Sequence, residues 1–297
     1  MIDNGLLKYY KTHSDKSGFL KAYMIAKQVE RVKQFNFLRK LSIDENSPDY
    51  YLKYFSGTIG VEGLTQEIHD KIAVEVLLSQ ILASVGLNCA IYYPAVYENG
   101  ELGVISNDIS TENTKSMEDY CLQMQSSGLS FVSPYEESCI TPGLVGFKNF
   151  MTKEAMKDFV KGYLFFCASG NYDGNPTNVL VDTQKRENEL DLITNVKFID
   201  FGNNIFRFDP KYEPVIEYHS GLGRGGLKNK EDFIYDLKVN SFVQSTYSCN
   251  EMAEMLGQVN VQNTADNIKE EIEFEVPQPM VDRISKNFDN VANELIV

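Results

Sequence analysis

Gly170-Asn171-Tyr172-Asp173-Gly174-Asn175-Pro176-Thr177-Asn178 runs directly into the apolar Val179-Leu180-Val181, and eighteen residues after Asn178 a second run follows, Val196-Lys197-Phe198-Ile199-Asp200-Phe201-Gly202. Each pairs a short β-branched run, read as a strand, with polar oxygen donors at its end. Phosphoryl transfer asks little covalent chemistry of a protein. It needs a positioned hydroxyl, a metal clamp and cations on the phosphates. A carboxylate at Asp173 would orient the acceptor hydroxyl and take its proton. Asn178, five residues on, would offer a neutral oxygen to magnesium. Asp200, after the second strand, would bridge the metal to the phosphates. Magnesium takes hard oxygen ligands and keeps waters, so two side chains plus phosphate suffice. The bland alternative is that Asp173-Gly-Asn-Pro is an ordinary turn and Asp200 a strand-end cap. An Asp five before an Asn is a weak signal by itself. The two stretches together, with a helix ahead of them, are a strong one.

Working outward, Lys153–Ala168 (KEAMKDFVKGYLFFCA) reads as that helix, with Thr152 as its cap. Further upstream, Tyr50-Tyr51-Leu52-Lys53-Tyr54-Phe55 reads as an aromatic strand. A helix is expected from about Thr65 to Val85, stopped at Gly86, with Ile68, Ile72, Val76, Ile81 and Val85 on or near one face. Glu98-Asn99-Gly100 between Ala90–Tyr97 and Glu101–Ile105 predicts a hairpin. Residues 19–41 look helical in part, 231–247 and 278–296 carry helical periodicity, and the acidic 267–275 reads as a solvated surface. The fold predicted is α+β with two lobes. A small antiparallel-sheet lobe with one helix takes residues 1–108, and a larger, mainly helical lobe takes 109–297 and carries the catalytic and metal-binding loops.

Lys53 and Glu75 extend the chemistry. A lysine in an aromatic strand is ordinarily a snorkelling surface residue. Glu75, however, interrupts the apolar Val74-Glu75-Val76-Leu77-Leu78, and a carboxylate there needs a partner. Lys53 on the nucleotide phosphates, directed by Glu75, satisfies both. Glu67 is the competing acid, but at the helix start it simply complements the dipole.

The composition bounds the partners. In 297 residues, 43% are hydrophobic and 24% charged, as in a globular protein, and eighteen Phe and seventeen Tyr can build a core without Trp. A net charge of −14 repels phosphate backbones, which argues against nucleic acid as a partner. Five scattered Cys and three His form no metal-ligand spacing, and the Cys read as free, mostly buried thiols in a reducing compartment. No apolar run is long enough to span a membrane and no secretory signal opens the chain. The expectation is a cytoplasmic protein with no membrane partner; delivery into a host cell is left open.

These stretches resemble the HipA-like serine/threonine kinases, in particular their compact bacterial branch. That branch has a G-N-aromatic-D-x-x-x-x-N loop, matched by Gly170 to Asn178, and a metal-binding D-x-G after a strand, matched by Asp200-Phe201-Gly202. It also has an acid eleven residues before a helix-ending Gly-Leu, as Glu75 stands before Gly86-Leu87. The resemblance covers roughly residues 50–297. It implies a two-lobed kinase fold, ATP and Mg2+ as cofactors, an adenine-binding hinge at Ser106, Asn107 and Asp108, and a protein hydroxyl as acceptor, the chain itself included. The chain departs from the family where a basic pair often follows the catalytic Asp; here Gly174-Asn175 stand there. No glycine-rich loop precedes Lys53, and Gly18 lies far upstream. A literal GxGxxG at Gly221–Gly226 follows Asp200 by about twenty residues and reads as a loop, since a nucleotide-binding one requires a preceding strand. Two other functions share these residues: a small-molecule kinase of aminoglycoside or choline type, and a nucleotide-binding pseudokinase.

Overall fold

The computed structural model describes residues 33–35, 38–41, 50–54, 66–96, 102–127, 149–170, 178–187, 190–201, 230–272 and 274–296. The chain divides into two compact units. The first takes residues 1–81, 90–109 and 262–281; the second takes 82–89, 110–261 and 282–297.

In the first unit, β1 (Lys33–Phe35), β2 (Leu38–Leu41), β3 (Tyr50–Tyr54), β4 (Tyr92–Val96) and β5 (Leu102–Asn107) form one sheet in the order β1-β2-β3-β5-β4. Every neighbouring pair is antiparallel. The sequence predicted β3, β4 and β5. It read part of 19–41 as helix, where β1 instead pairs in register with β2, and β2 with β3. Phe35, Leu38 and Leu41 recur at a spacing of three, which a helix would also produce. Pairing to β3 decides between the two.

Helix α1 (Gln66–Ser84) follows β3. The sequence suggested one apolar face, yet every residue from Ile72 to Ser79 is buried. A helix that is hydrophobic all round is a core helix. The backbone N–H of Tyr92 in β4 donates to Ser79 Oγ at 3.1 Å, which joins the sheet to this helix. The C-terminus closes as expected at Gly86, whose φ is +77°. Gly86 N–H reaches Ala83 O at 2.9 Å and Leu87 N–H reaches Leu82 O at 3.0 Å, the paired bonds that satisfy the last carbonyls of a helix when a glycine turns left-handed.

The second unit holds a three-stranded antiparallel sheet in the order β6 (Thr114–Ser116), β7 (Val179–Gln184), β8 (Leu192–Phe198). Its helices are α2 (Met117–Ser126), α3 (Lys153–Ala168), α4 (Lys230–Val239), α5 (Ser241–Gln244) and α6 (Cys249–Gly257). Helices α7 (Val261–Glu271) and α8 (Gln278–Ile296) come last, with residues 262–281 counted in the first unit. Thr152 caps α3 as expected: Ala155 N–H donates to Thr152 Oγ1 at 3.1 Å. The periodic stretch 231–247 is two helices rather than one. Asn240 ends α4 and caps α5, its Oδ1 accepting from Phe242 N at 3.0 Å and Val243 N at 3.4 Å. The acidic 267–275 is partly helical, and Ile268 and Phe274 are buried in it. Among the described residues no helix is long and apolar enough to cross a membrane. The architecture is α+β, with a small antiparallel-sheet unit and a larger, mainly helical one, as predicted.

Candidate functional site

In the first unit, Lys53 sits at the middle of the sheet, opposite Leu38 of β2 and Val104 of β5. Its Nζ forms an ion pair with Glu75 Oε1 of α1. The Glu75 side chain is 0% exposed and that of Lys53 15%. An ionised carboxylate inside an apolar helix is tolerated when a cation and hydrogen bonds replace its water. The sequence anticipated this pair from the interruption of an apolar run. Ser106 lies near the end of β5 between Tyr51 and Tyr92 and is buried. Asn107 closes the strand opposite Tyr50, and Asp108 follows at its end.

In the second unit, α3 ends at Ala168, and Gly170, at φ +83°, takes the left-handed position just past the helix. Asp173 lies outside the described residues, as do all of 171–177. Asn178 opens β7. Val179 pairs with Phe198 across the hairpin, and Ile199 N–H donates to Asn178 O at 3.0 Å. Asn178 and Ile199 therefore stand side by side where β7 begins and β8 ends, with Asp200 one residue further. Asp200 has φ +59°, and it is the one non-glycine residue with positive φ among those described. That conformation costs an ordinary L-residue about 1–2 kcal/mol. Asp tolerates it better than most, and such outliers gather at functional sites.

The donor chemistry suits a hard divalent cation. Asn178 offers an amide oxygen and Asp200 a carboxylate, held at the ends of adjacent strands. Among the described residues no three His, Cys, Asp or Glu side chains cluster to hold a metal by themselves. Magnesium, which keeps waters and shares its shell with phosphate, fits such a sparse set.

The sequence missed a second buried ion pair. Lys197, whose side chain is 4% exposed, meets Asp182 Oδ2 at 2.7 Å. Asp182 also accepts from Thr114 Oγ1, from Thr111 Oγ1 at 3.2 Å and from Asn195 Nδ2 at 3.1 Å. Burial works against its charge. The hydrogen bonds from Lys197, Thr114 and Asn195, with the lysine's charge, outweigh that and hold the carboxyl below the usual range. The network ties β6, β7 and β8 together. A lysine inside the apolar Val196-Lys197-Phe198-Ile199 was the available signal. Of the described cysteines, Cys89 and Cys121 are buried free thiols, each pushed up to about 12 by burial, while Cys249 is a half-buried free thiol.

No family model matches the chain, and no curated protein matches it in sequence. Solved structures do match. The proinflammatory kinase CtkA of Helicobacter pylori aligns over 89% of this chain and 91% of its own, at 14% identity and a TM-score of 0.56. HipA of Shewanella oneidensis, in its complex with HipB and operator DNA, aligns over 89% of this chain and 65% of its own, at 11% identity and a TM-score of 0.47. The Rio2 kinase of Chaetomium thermophilum aligns over 93% and 69%, at 12% identity and a TM-score of 0.33. The first likeness defines the class: the chain has a protein-kinase-like fold. The kinase fold that the motifs implied is thus matched in three dimensions. At this identity the fold is what is shared.

Proposed function

We propose that the chain is a magnesium- and ATP-dependent phosphotransferase, a HipA-like Ser/Thr protein kinase that transfers the γ-phosphoryl group to a protein hydroxyl. The observation that carries this reading is the Lys53–Glu75 pair, in which a fully buried carboxylate of an apolar helix orients one lysine of the neighbouring sheet. That arrangement gives the lysine a fixed direction, which phosphate recognition requires and a snorkelling surface residue does not. The likeness to a protein that is itself named a kinase supports the same conclusion. In this reading Lys53 contacts the α- and β-phosphates, the backbone of Ser106–Asp108 takes the adenine edge, and Asn178 and Asp200 hold Mg2+. The metal, when bound, neutralises charge on the transferring group. Asp173 orients the acceptor hydroxyl and accepts its proton. The acceptor is a protein, the chain itself included; the net charge argues against nucleic acid.

Transfer of label from γ-labelled ATP tests the proposal, first with the protein alone and then with a cell lysate. A labelled chain or a labelled protein band supports it. Label confined to a small molecule would move the chain to the aminoglycoside and choline kinase type. Nucleotide binding without any transfer would make it a pseudokinase, and no nucleotide binding at all would end the reading.

A further inference from the structure

Asp200 occupies a left-handed conformation, and something must hold it there. Its two flanks are aromatic and buried: Phe198, two residues before, is 3% exposed and Phe201, one residue after, is 0%. Both rings lie against the same side chain. Phe166 of α3 stands 5.9 Å from the Phe198 ring, tilted by 40°, and 5.5 Å from the Phe201 ring, at 60°. One turn earlier on α3, Gly162 leaves the space that the Phe198 ring fills: a Cβ there would come within 1.9 Å of Phe198 Cζ. The backbone at Phe198 is fixed from the other side, where its N–H donates to Asn88 O at 3.0 Å and it bridges Cys89.

We infer that Phe166 is a positioning residue for Asp200. One ring grips the residues on both sides of the left-handed position, so the backbone between them cannot relax to an ordinary φ without withdrawing a ring from the core. Aromatic pairs at these separations are favourable beyond simple burial. The consequence is a backbone position for the Asp200 carboxylate that helix α3 helps to set. This rests on the proposed role of Asp200 as a magnesium ligand only for its functional consequence; the grip itself does not depend on it.

Phe165 supplies the control. It is the adjacent residue on the same helix, is also buried (1% exposed, against 6% for Phe166), and packs edge-on against Phe288 of α8 at 5.7 Å instead. Phe166→Leu and Phe165→Leu should lose comparable thermal stability. In ligand-free protein, the Asp200 13Cα resonance should move toward values of ordinary backbone in Phe166→Leu and stay in place in Phe165→Leu. An unmoved resonance in Phe166→Leu, or equal movement in both, overturns the inference. Titration of Mg2+ at saturating ATP, followed by calorimetry, then reads the consequence. About a tenfold weaker metal response is expected in Phe166→Leu alone, with metal-free nucleotide affinity unchanged. If the unmodified protein has no magnesium-dependent nucleotide binding while the resonance still moves, the proposed function fails and the positioning role stands.

Discussion

Replacing Gly162 with Ala sets two effects against each other. Glycine inside a helix is about 1 kcal/mol worse than alanine, so on propensity alone the change should stabilise α3. The new Cβ, however, would lie 1.9 Å from Phe198 Cζ, 2.4 Å from Cε2 and 2.6 Å from Cε1. Carbon atoms pack best at about 3.5–4.0 Å, so the ring tip would have to retreat by about 1.6 Å. Phe198 cannot easily do so, because it is buried, abuts Phe166 and is hydrogen-bonded through its backbone to Asn88. Overpacking of this kind costs about 1–3 kcal/mol. A clash with the tip of an aromatic ring belongs at the upper end, and subtracting the propensity gain leaves a net loss of about 2 kcal/mol. Gly257, at the end of α6, is the control, since a Cβ there meets nothing within 4 Å. Urea denaturation of both variants decides the matter. Gly162→Ala should unfold at lower urea, and Gly257→Ala at the same or higher. An unchanged or raised midpoint for Gly162→Ala would refute the packing argument.

Asp200→Ala should abolish magnesium-dependent ATP binding with the far-ultraviolet dichroism intact; unchanged affinity by calorimetry would remove Asp200 from the site. Asp173→Asn keeps shape and loses charge, and turnover should fall by about a hundredfold to ten-thousandfold at nearly constant ATP affinity, as for other positioned acid–base groups. Lys197→Met strands the Asp182 carboxylate among Thr114, Thr111 and Asn195, and should cost about 3 kcal/mol in denaturant titrations; adding Asp182→Asn should recover part of that loss. His69 gives a pH signature. Its Nε2 lies 3.1 Å from Glu275 O, its ring rests on Phe274, and its Nδ1 is buried with no hydrogen-bond partner among the described residues. Burial lowers its pKa from the ordinary 6.5 despite the opposing charges of Asp70 and Glu275. The folded state thus prefers neutral His69, so its contribution is complete above about pH 6.5 and is lost as pH falls below that toward the lowered folded value. The urea midpoint should decline over that window, and less so in His69→Phe; parallel curves would count against this account.

Much of the fold was legible because local chemistry and tertiary packing agreed. Gly86 stops α1 in the sequence and in space, Thr152 caps α3, and Val179 and Val196 begin runs that pair in β7 and β8. Glu75 was legible because a carboxylate in an apolar run has few explanations. What escaped is instructive. Strands β1 and β2 are three and four residues long, and their identity comes from pairing rather than propensity. Helix α6 was signalled by Ser248 with Glu251 three residues on, which form a capping box, but the signal went unread. Phe166 in a helix reads as one core residue among many, and only coordinates reveal that it packs on both Phe198 and Phe201, which flank Asp200. The left-handed φ of Asp200 is likewise silent in sequence, since Asp serves equally well in ordinary backbone.

The charge of the chain bears on how it would hold a nucleotide. At −14 it presents an unfavourable long-range field to ATP. Lys53 does little to offset this, because it is paired with Glu75 and the two charges largely cancel at a distance. The pair can orient a phosphate already in place without drawing it in. In the proposed reading, attraction would come from the divalent cation, which would convert ATP to a less anionic complex and meet Asp200 and Asn178 with favourable sign. It follows that ATP affinity should depend more steeply on magnesium than on Lys53. Removing the metal should weaken binding further than Lys53→Met does. Added salt, by screening the chain's repulsion, should strengthen metal-free binding of ATP rather than weaken it.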